Sequence, residues 1–193
     1  MSLSQDKIPK PEEISIVKKG FLDCLVALAS KLNGVSEFWS LGGDLAEKLQ
    51  GVKVEPDHVE ILTTRNGVVK ITELLQECHP SNIEFLVKRL GREAEVGGKR
   101  HPVYIRCYRS ELRINGVRTE VRGDFRYKVS DWEWGDSLEF EPIGLYVIDK
   151  RLPVMPLSVS GDLYAGLGWT DRAEKVREAV LSSLEPRERM VLQ

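Results

Sequence analysis

The sequence predicts an α/β (α+β) domain: a mixed β-sheet flanked by helices, with further helices at its C-terminal end. Three observations predict it. Apolar residues recur every three to four positions from Ile14 to Leu32, apolar and polar residues alternate around 57–63 and 103–122, and an Asn-Gly pair joins two alternating runs at 115–116. Helical and strand periods in one chain point to a layered domain rather than a bundle. The 193 residues, 41% of them hydrophobic, can bury one sizeable core. The expected organisation is a disordered 1–10 and a single domain over 11–193, whose helical C-terminal part covers about 156–186.

The first helix is expected from Pro11-Glu12-Glu13, where proline suits the first turn and acids suit the helix dipole, to Asn33-Gly34 as its C-terminal stop. Ile14, Val17, Phe21, Leu25, Leu28 and Leu32 form its buried stripe. A strand at Phe38–Leu41 then stops at Gly42-Gly43, a short helix opens on the glycines, and a second strand covers Asp57–Thr63. Helices are expected over Val68–Gln76 and over Ser81–Leu90, the latter capped by Ser81, with Gly91–Arg100 as a surface loop. Strands follow at Val103–Tyr108, Glu111–Ile114 and Val117–Arg122, the last two forming a hairpin on Asn115-Gly116. The acidic, Trp-containing stretch Ser130–Glu141 reads as an exposed loop, Ile143–Ile148 as a last strand, and Pro153–Ser158 as punctuation. Two helices close the chain, Ser158–Leu167 and Thr170–Leu184, with Thr170 as N-cap.

Composition narrows the function. A net charge of -2 argues against a surface built wholly for a nucleic-acid backbone, although a local basic patch is compatible with it. Cys24, Cys78 and Cys107 are scattered without metal-ligand or redox spacing and read as buried small hydrophobes in a reducing compartment. The longest apolar run, Phe21–Ala29, is too short to span a bilayer, so a cytoplasmic location and no membrane partner are expected. Charged residues at 30% are thermophilic in style.

Gly42 and Gly43 allow close backbone approach to a ligand, and the first turn of the following helix offers free N–H groups to an anion. Along the next strand His58, Glu60 and Leu62 share one face. Arg118, Glu120 and Arg122 share a face of the later hairpin; a solvated ladder of charged pairs is the other reading of that stripe.

From about Phe38 to Val180 the chain resembles the nucleotidyltransferase fold, in particular the small archaeal and bacterial proteins of the minimal nucleotidyltransferase type. Gly42-Gly43 stands where that family has its Gly-Gly or Gly-Ser turn, His58-Val59-Glu60 where it has Asp-x-Asp, and Asp171-Arg172-Ala173-Glu174-Lys175 matches its C-terminal helix. The resemblance implies that Gly42 and Gly43 bind nucleotide phosphate, that Glu120 supplies the third carboxylate, and that His58, Glu60 and Glu120 are catalytic and metal-binding, with Asp57 as an alternative ligand. It implies an NTP substrate, a Mg²⁺ or Mn²⁺ cofactor and an acceptor of unknown identity, and it leaves a homo-oligomer open. Because Mg²⁺ favours oxygen ligands, the imidazole at His58 suits Mn²⁺ or Zn²⁺ better. Two functions stay open: metal-dependent transfer of a nucleoside monophosphate, or a degenerate nucleotide-binding or scaffold protein of the same fold.

Overall fold

The computed structural model describes residues 18–183. The expected disordered segment 1–10 and the helix start at Pro11 lie outside these residues. Helix α1 (Lys19–Lys31) is followed by β1 (Trp39–Gly42), α2 (Gly43–Leu49), β2 (Val59–Thr63) and α3 (Arg65–Leu74). Three longer strands come next, β3 (Glu84–Val96), β4 (Lys99–Ile114) and β5 (Val117–Val129). The chain then forms β6 (Ile143–Val147), β7 (Lys150–Val154), α4 (Leu157–Gly166) and α5 (Thr170–Ser183). All seven strands share one mixed sheet in the order β3-β4-β5-β2-β1-β7-β6. The β2–β5 and β1–β7 pairs are parallel and the others antiparallel.

Local chemistry explains most boundaries. Thr64 caps α3 by accepting a hydrogen bond from the Gly67 N–H at 3.0 Å, so this helix begins at Arg65 rather than at Val68. Asn115 and Gly116 take positive φ values of 50° and 81°, the geometry of a two-residue turn whose twist matches the flanking strands.

Several expectations are corrected. The segment Ser81–Leu90 is not a helix, since β3 begins at Glu84 and pairs with β4 along its length. Nor is Gly91–Arg100 a loop: β3 and β4 turn at Gly97-Gly98, both with positive φ (59° and 73°). The runs 103–108 and 111–114 are one continuous strand, and β5 continues past Arg122 to Val129. Pro153 lies inside β7, one strand in from the sheet edge, where β1 pairs with β7 only at Val154.

Strand alternation divides the sheet into two faces. Val59, Ile61 and Val121, fully buried, pack with Cys24, Leu25 and Leu28 of α1 and Val68 and Ile71 of α3. Burying each such aliphatic side chain contributes about 1.5–3 kcal/mol. The opposite face carries Glu60 and Leu62 of β2 with Glu120 and Arg122 of β5, beneath α4 and α5. At Asp124 (φ 49°) β5 enters the left-handed region beside a register shift in β4. That bulge exchanges the faces, so Phe125 and Val129 join Ile105, Tyr164 and Leu167 in a second core under the C-terminal helices.

Candidate functional site

The parallel pairing of β2 with β5 sets Glu60 directly beside Glu120. Between them lies Arg122. Its Nη1 is 3.0 Å from Glu60 Oε2, and its Nη2 and Nε donate to Glu120 Oε2 at 2.5 and 2.9 Å. Arg118 and Arg109 reach the other oxygen of Glu120, Arg109 at 3.5 Å. Glu111, opposite Glu120 on β4, pairs with Arg109 and with Arg118, the latter at 2.7 Å. The stripe of alternating Arg and Glu is thus a cross-strand lattice, and three guanidinium groups hold the carboxylate expected to be the third metal ligand.

His58 lies in a bend just before β2 and faces the same cleft. Its Nδ1 bonds Asp57, whereas its Nε2 is 3.9 Å from Glu60 Oε2, too long for a hydrogen bond, and is buried with no other partner among the described residues. The Glu60 carboxylate, helped by Asp57 and opposed by burial, holds the imidazole up to a pKa of about 9. His58 is therefore a cation at neutral pH. Burial pushes both Glu60 and Glu120 up, but Arg122 and the other cations outweigh it, leaving both below the usual carboxylate range. Asp57, 80% exposed at its side chain, serves His58 rather than the Glu60–Glu120 pair.

The Gly42-Gly43 turn closes one end of this cluster. A Cβ at Gly42 would lie 2.7 Å from Leu62 Cδ1, so the backbone approaches β2 more closely than a side chain permits. Gly43 has φ 62° and its α-carbon faces Glu60, with a hypothetical Cβ 3.5 Å from Oε2. The structure thus brings His58, Glu60, Glu120 and the Gly42-Gly43 turn together, with Arg122 at their centre.

Mg²⁺ requires near-octahedral oxygen coordination at about 2.0–2.1 Å. Here one guanidinium lies between the two carboxylates that would have to share the ion, and one of the two imidazole nitrogens, His58 Nδ1, is taken up by Asp57. Among the described residues no group of three or more His, Cys, Asp or Glu side chains is arranged to hold a metal ion. The residues in this arrangement do not fit a divalent metal.

The cluster opens into a cavity of about 220 Å³ between the sheet and the C-terminal helices. Leu62, Ile105, Phe125, Met155, Leu163 and Trp169 form its apolar walls, while Gly43, Asp44, His58, Glu60 and Arg122 form its polar end. Trp169 stacks on Tyr164 at 5.5 Å, and its buried Nε1 has no hydrogen-bond partner among the described residues.

Behind the cavity a second ion-pair group fastens α5 to α2. The fully buried Glu47 accepts from Tyr164 OH and from Arg172 Nη2, each at 2.5 Å, and Arg172 Nη2 also reaches Asp44 Oδ1 at 2.5 Å. Burial pushes the Glu47 carboxyl above its ordinary value against the pull of Tyr164 and Arg172. Asp44, which beside the glycines would repel a phosphate, shares this one guanidinium with Glu47. Sequence reasoning missed this group, and it placed Arg122 beside Glu120 without giving it a part in the site. The available signal was the three-residue spacing of Asp44 and Glu47, which puts both acids on one face of α2.

A solved structure from Thermotoga maritima, described as the crystal structure of a "putative nucleotidyltransferase", matches with a TM-score of 0.60 at 24% identity, over 94% of this chain and 99% of that one. The fold is accordingly nucleotidyltransferase-like, with a mixed seven-stranded sheet and five α-helices among the described residues. No family model matches the chain, and no curated protein matches it. Among the described residues no helix is long and apolar enough to cross a membrane.

Proposed function

We propose that this chain is a divergent member of the minimal nucleotidyltransferase type that binds a nucleotide in the cleft at Gly43 without metal-dependent transfer. The observation that carries this reading is Arg122, whose guanidinium bonds both Glu60 and Glu120. A cation fixed to the protein stands where the transfer chemistry needs two exchangeable ones to clamp the attacking and leaving oxygens.

The cavity supports the nucleotide part of the reading. Its enclosed volume, about 220 Å³, is below the roughly 300–1,000 Å³ typical of pockets that engulf a whole ligand. It therefore suits the ring system of a base between apolar walls, with the Trp169 N–H as a donor, while phosphates lie at the mouth near Gly42, Gly43 and the His58 imidazolium. Nucleotide, rather than a metal–nucleotide complex, is the ligand of this reading.

A second reading is favoured by the register itself. Glu60 and Glu120 are Cα partners on adjacent parallel strands, so a swing of Arg122 out of the cleft would leave two carboxylates facing one ion, and transfer of a nucleoside monophosphate to an unknown acceptor could follow. One experiment separates the two. Thermal unfolding is followed with each nucleoside triphosphate in EDTA and again with Mg²⁺ or Mn²⁺, alongside transfer of α-phosphate label to protein or RNA. The proposed reading expects stabilisation by a nucleotide in EDTA and no label transfer. Stabilisation only with metal, accompanied by transfer, would establish the second reading; no stabilisation under any condition would refute nucleotide binding.

A further inference from the structure

A chain of net charge -2 conceals a basic arm. Between Glu84 and Val129, the span of β3, β4 and β5, stand twelve Lys and Arg against six Asp and Glu. Arg109, Arg118 and Arg122 are engaged by carboxylates on the cleft face. Much of the remaining positive charge gathers on the other face, on the half of the arm distant from Asn115-Gly116.

Strand register places it there. Arg89 is opposite Tyr104, and Tyr104 opposite Lys128; Val87 is opposite Arg106, and Arg106 opposite Arg126; Phe85 is opposite Tyr108. Directly paired residues share a face of the sheet, so cations and rings interleave across three strands. Phe85 and Val87 are 57% and 54% exposed, so nothing described covers this face at β3. From the segment after β5, Trp134 reaches over the same face, 4.6 Å from the Arg106 guanidinium and 5.4 Å from Lys128 Nζ. Arg106, Arg126 and Lys128 form no ion pair among the described residues, and Arg89 reaches Glu93 only at 3.9 Å.

We propose that this face is a platform for single-stranded nucleic acid. Arg89, Arg106, Arg126 and Lys128 take the phosphates, and Phe85 and Trp134 offer rings on which unpaired bases lie. Positive charge with few carboxylate partners beside an exposed Phe85 and a half-buried Trp134 is the pairing that single-strand binding uses, because every base has a flat face and every linkage a charge. An apolar protein partner would instead bury four cations without counter-charges. A duplex would leave the rings idle, its bases being already stacked. The platform is on the opposite side of the sheet from the Glu60–Glu120 cleft, and the inference does not depend on what that cleft binds.

The test is fluorescence anisotropy of end-labelled oligo(U) and oligo(dT) of about 12 nucleotides, within the usual single-strand site range. The full chain should bind at low salt, with log affinity falling against log salt at a slope near -3, about 0.7 for each of four neutralised phosphates. Arg126→Glu with Lys128→Glu should weaken binding at least about tenfold and flatten the slope. Lys150→Glu, on β7 near the other sheet edge, should bind as the unaltered chain does. Phe85→Ala should lose about tenfold while keeping the slope, since stacking carries no counterions. If the double charge reversal does not fold by circular dichroism, Arg126→Gln with Lys128→Gln gives the same readout. The proposal is overturned if neither oligonucleotide binds, if the charge variants bind as tightly as the unaltered chain, or if a duplex of equal length binds as well as the single strand. Self-association through this face with no oligonucleotide binding would overturn it equally.

Discussion

Arg122 decides how the cleft reads. Two glutamates adjacent in register would repel at neutral pH, and the guanidinium between them makes their joint ionisation tolerable. Arg122→Ala is therefore expected to destabilise the fold by about 3–5 kcal/mol, as removal of one partner from a buried ion-pair group does. Denaturant unfolding measures this, and Glu60→Gln with Glu120→Gln added to Arg122→Ala should recover part of the loss. His58 gives a prediction with a sign. Its folded pKa of about 9 exceeds the ordinary 6.5, so its contribution is complete below about 6.5 and is lost as pH rises through 9. After allowance for solvent screening this amounts to on the order of 1–2 kcal/mol, or a Tm lower by about 3–6 °C at pH 9.5 than at pH 6.5. His58→Gln should flatten that alkaline slope. Glu60 and Glu120, held below their ordinary range, act oppositely: their contribution is present above that range and is lost as pH falls through their folded values.

At the scale of elements, α5 is fastened by one arginine. Arg172→Ala would strand the Glu47 carboxylate, which is fully buried, and should cost about 3–5 kcal/mol, whereas Arg172→Lys should restore part of the loss by keeping a charge. The β6–β7 turn makes the opposite prediction. Ile148 holds φ 60°, a region unfavourable to a β-branched residue, so Ile148→Asn should raise Tm by about 2–4 °C.

How far these elements were legible in the sequence depends on how local their causes are. The Gly42-Gly43 turn, the Asn115-Gly116 hairpin and the two C-terminal helices are specified by neighbouring residues and were read close to their observed bounds. Strand β3 was not. Ser81 resembles a cap and Leu86 and Leu90 have helical spacing, so the local pattern favoured a helix; pairing with β4 overrides it. The Gly97-Gly98 turn was a hairpin signal that the charged residues around it obscured. Within the cleft, alternation placed His58 with Glu60 and Arg122 with Glu120. That Arg122 also bonds Glu60 depends on β2 lying beside β5, which no spacing within either segment contains.

At the scale of the molecule, one sheet presents two chemically different faces. The face under α4 and α5 holds the cleft with its fixed internal cation; the other packs α1 and α3 and leaves an uncovered basic arm. The bulge at Asp124 makes both possible, because it turns Phe125 and Val129 into the second core and leaves Arg126 and Lys128 on the opposite face. On the proposed reading Arg122 takes the place of a divalent ion. Mn²⁺ uptake is the direct test, with free Mn²⁺ followed by electron paramagnetic resonance in the absence of nucleotide for the unaltered chain and for Arg122→Ala shown to be folded. The unaltered chain should leave millimolar Mn²⁺ free, while Arg122→Ala takes up one equivalent at Glu60 and Glu120. Stoichiometric uptake by the unaltered chain would contradict that reading.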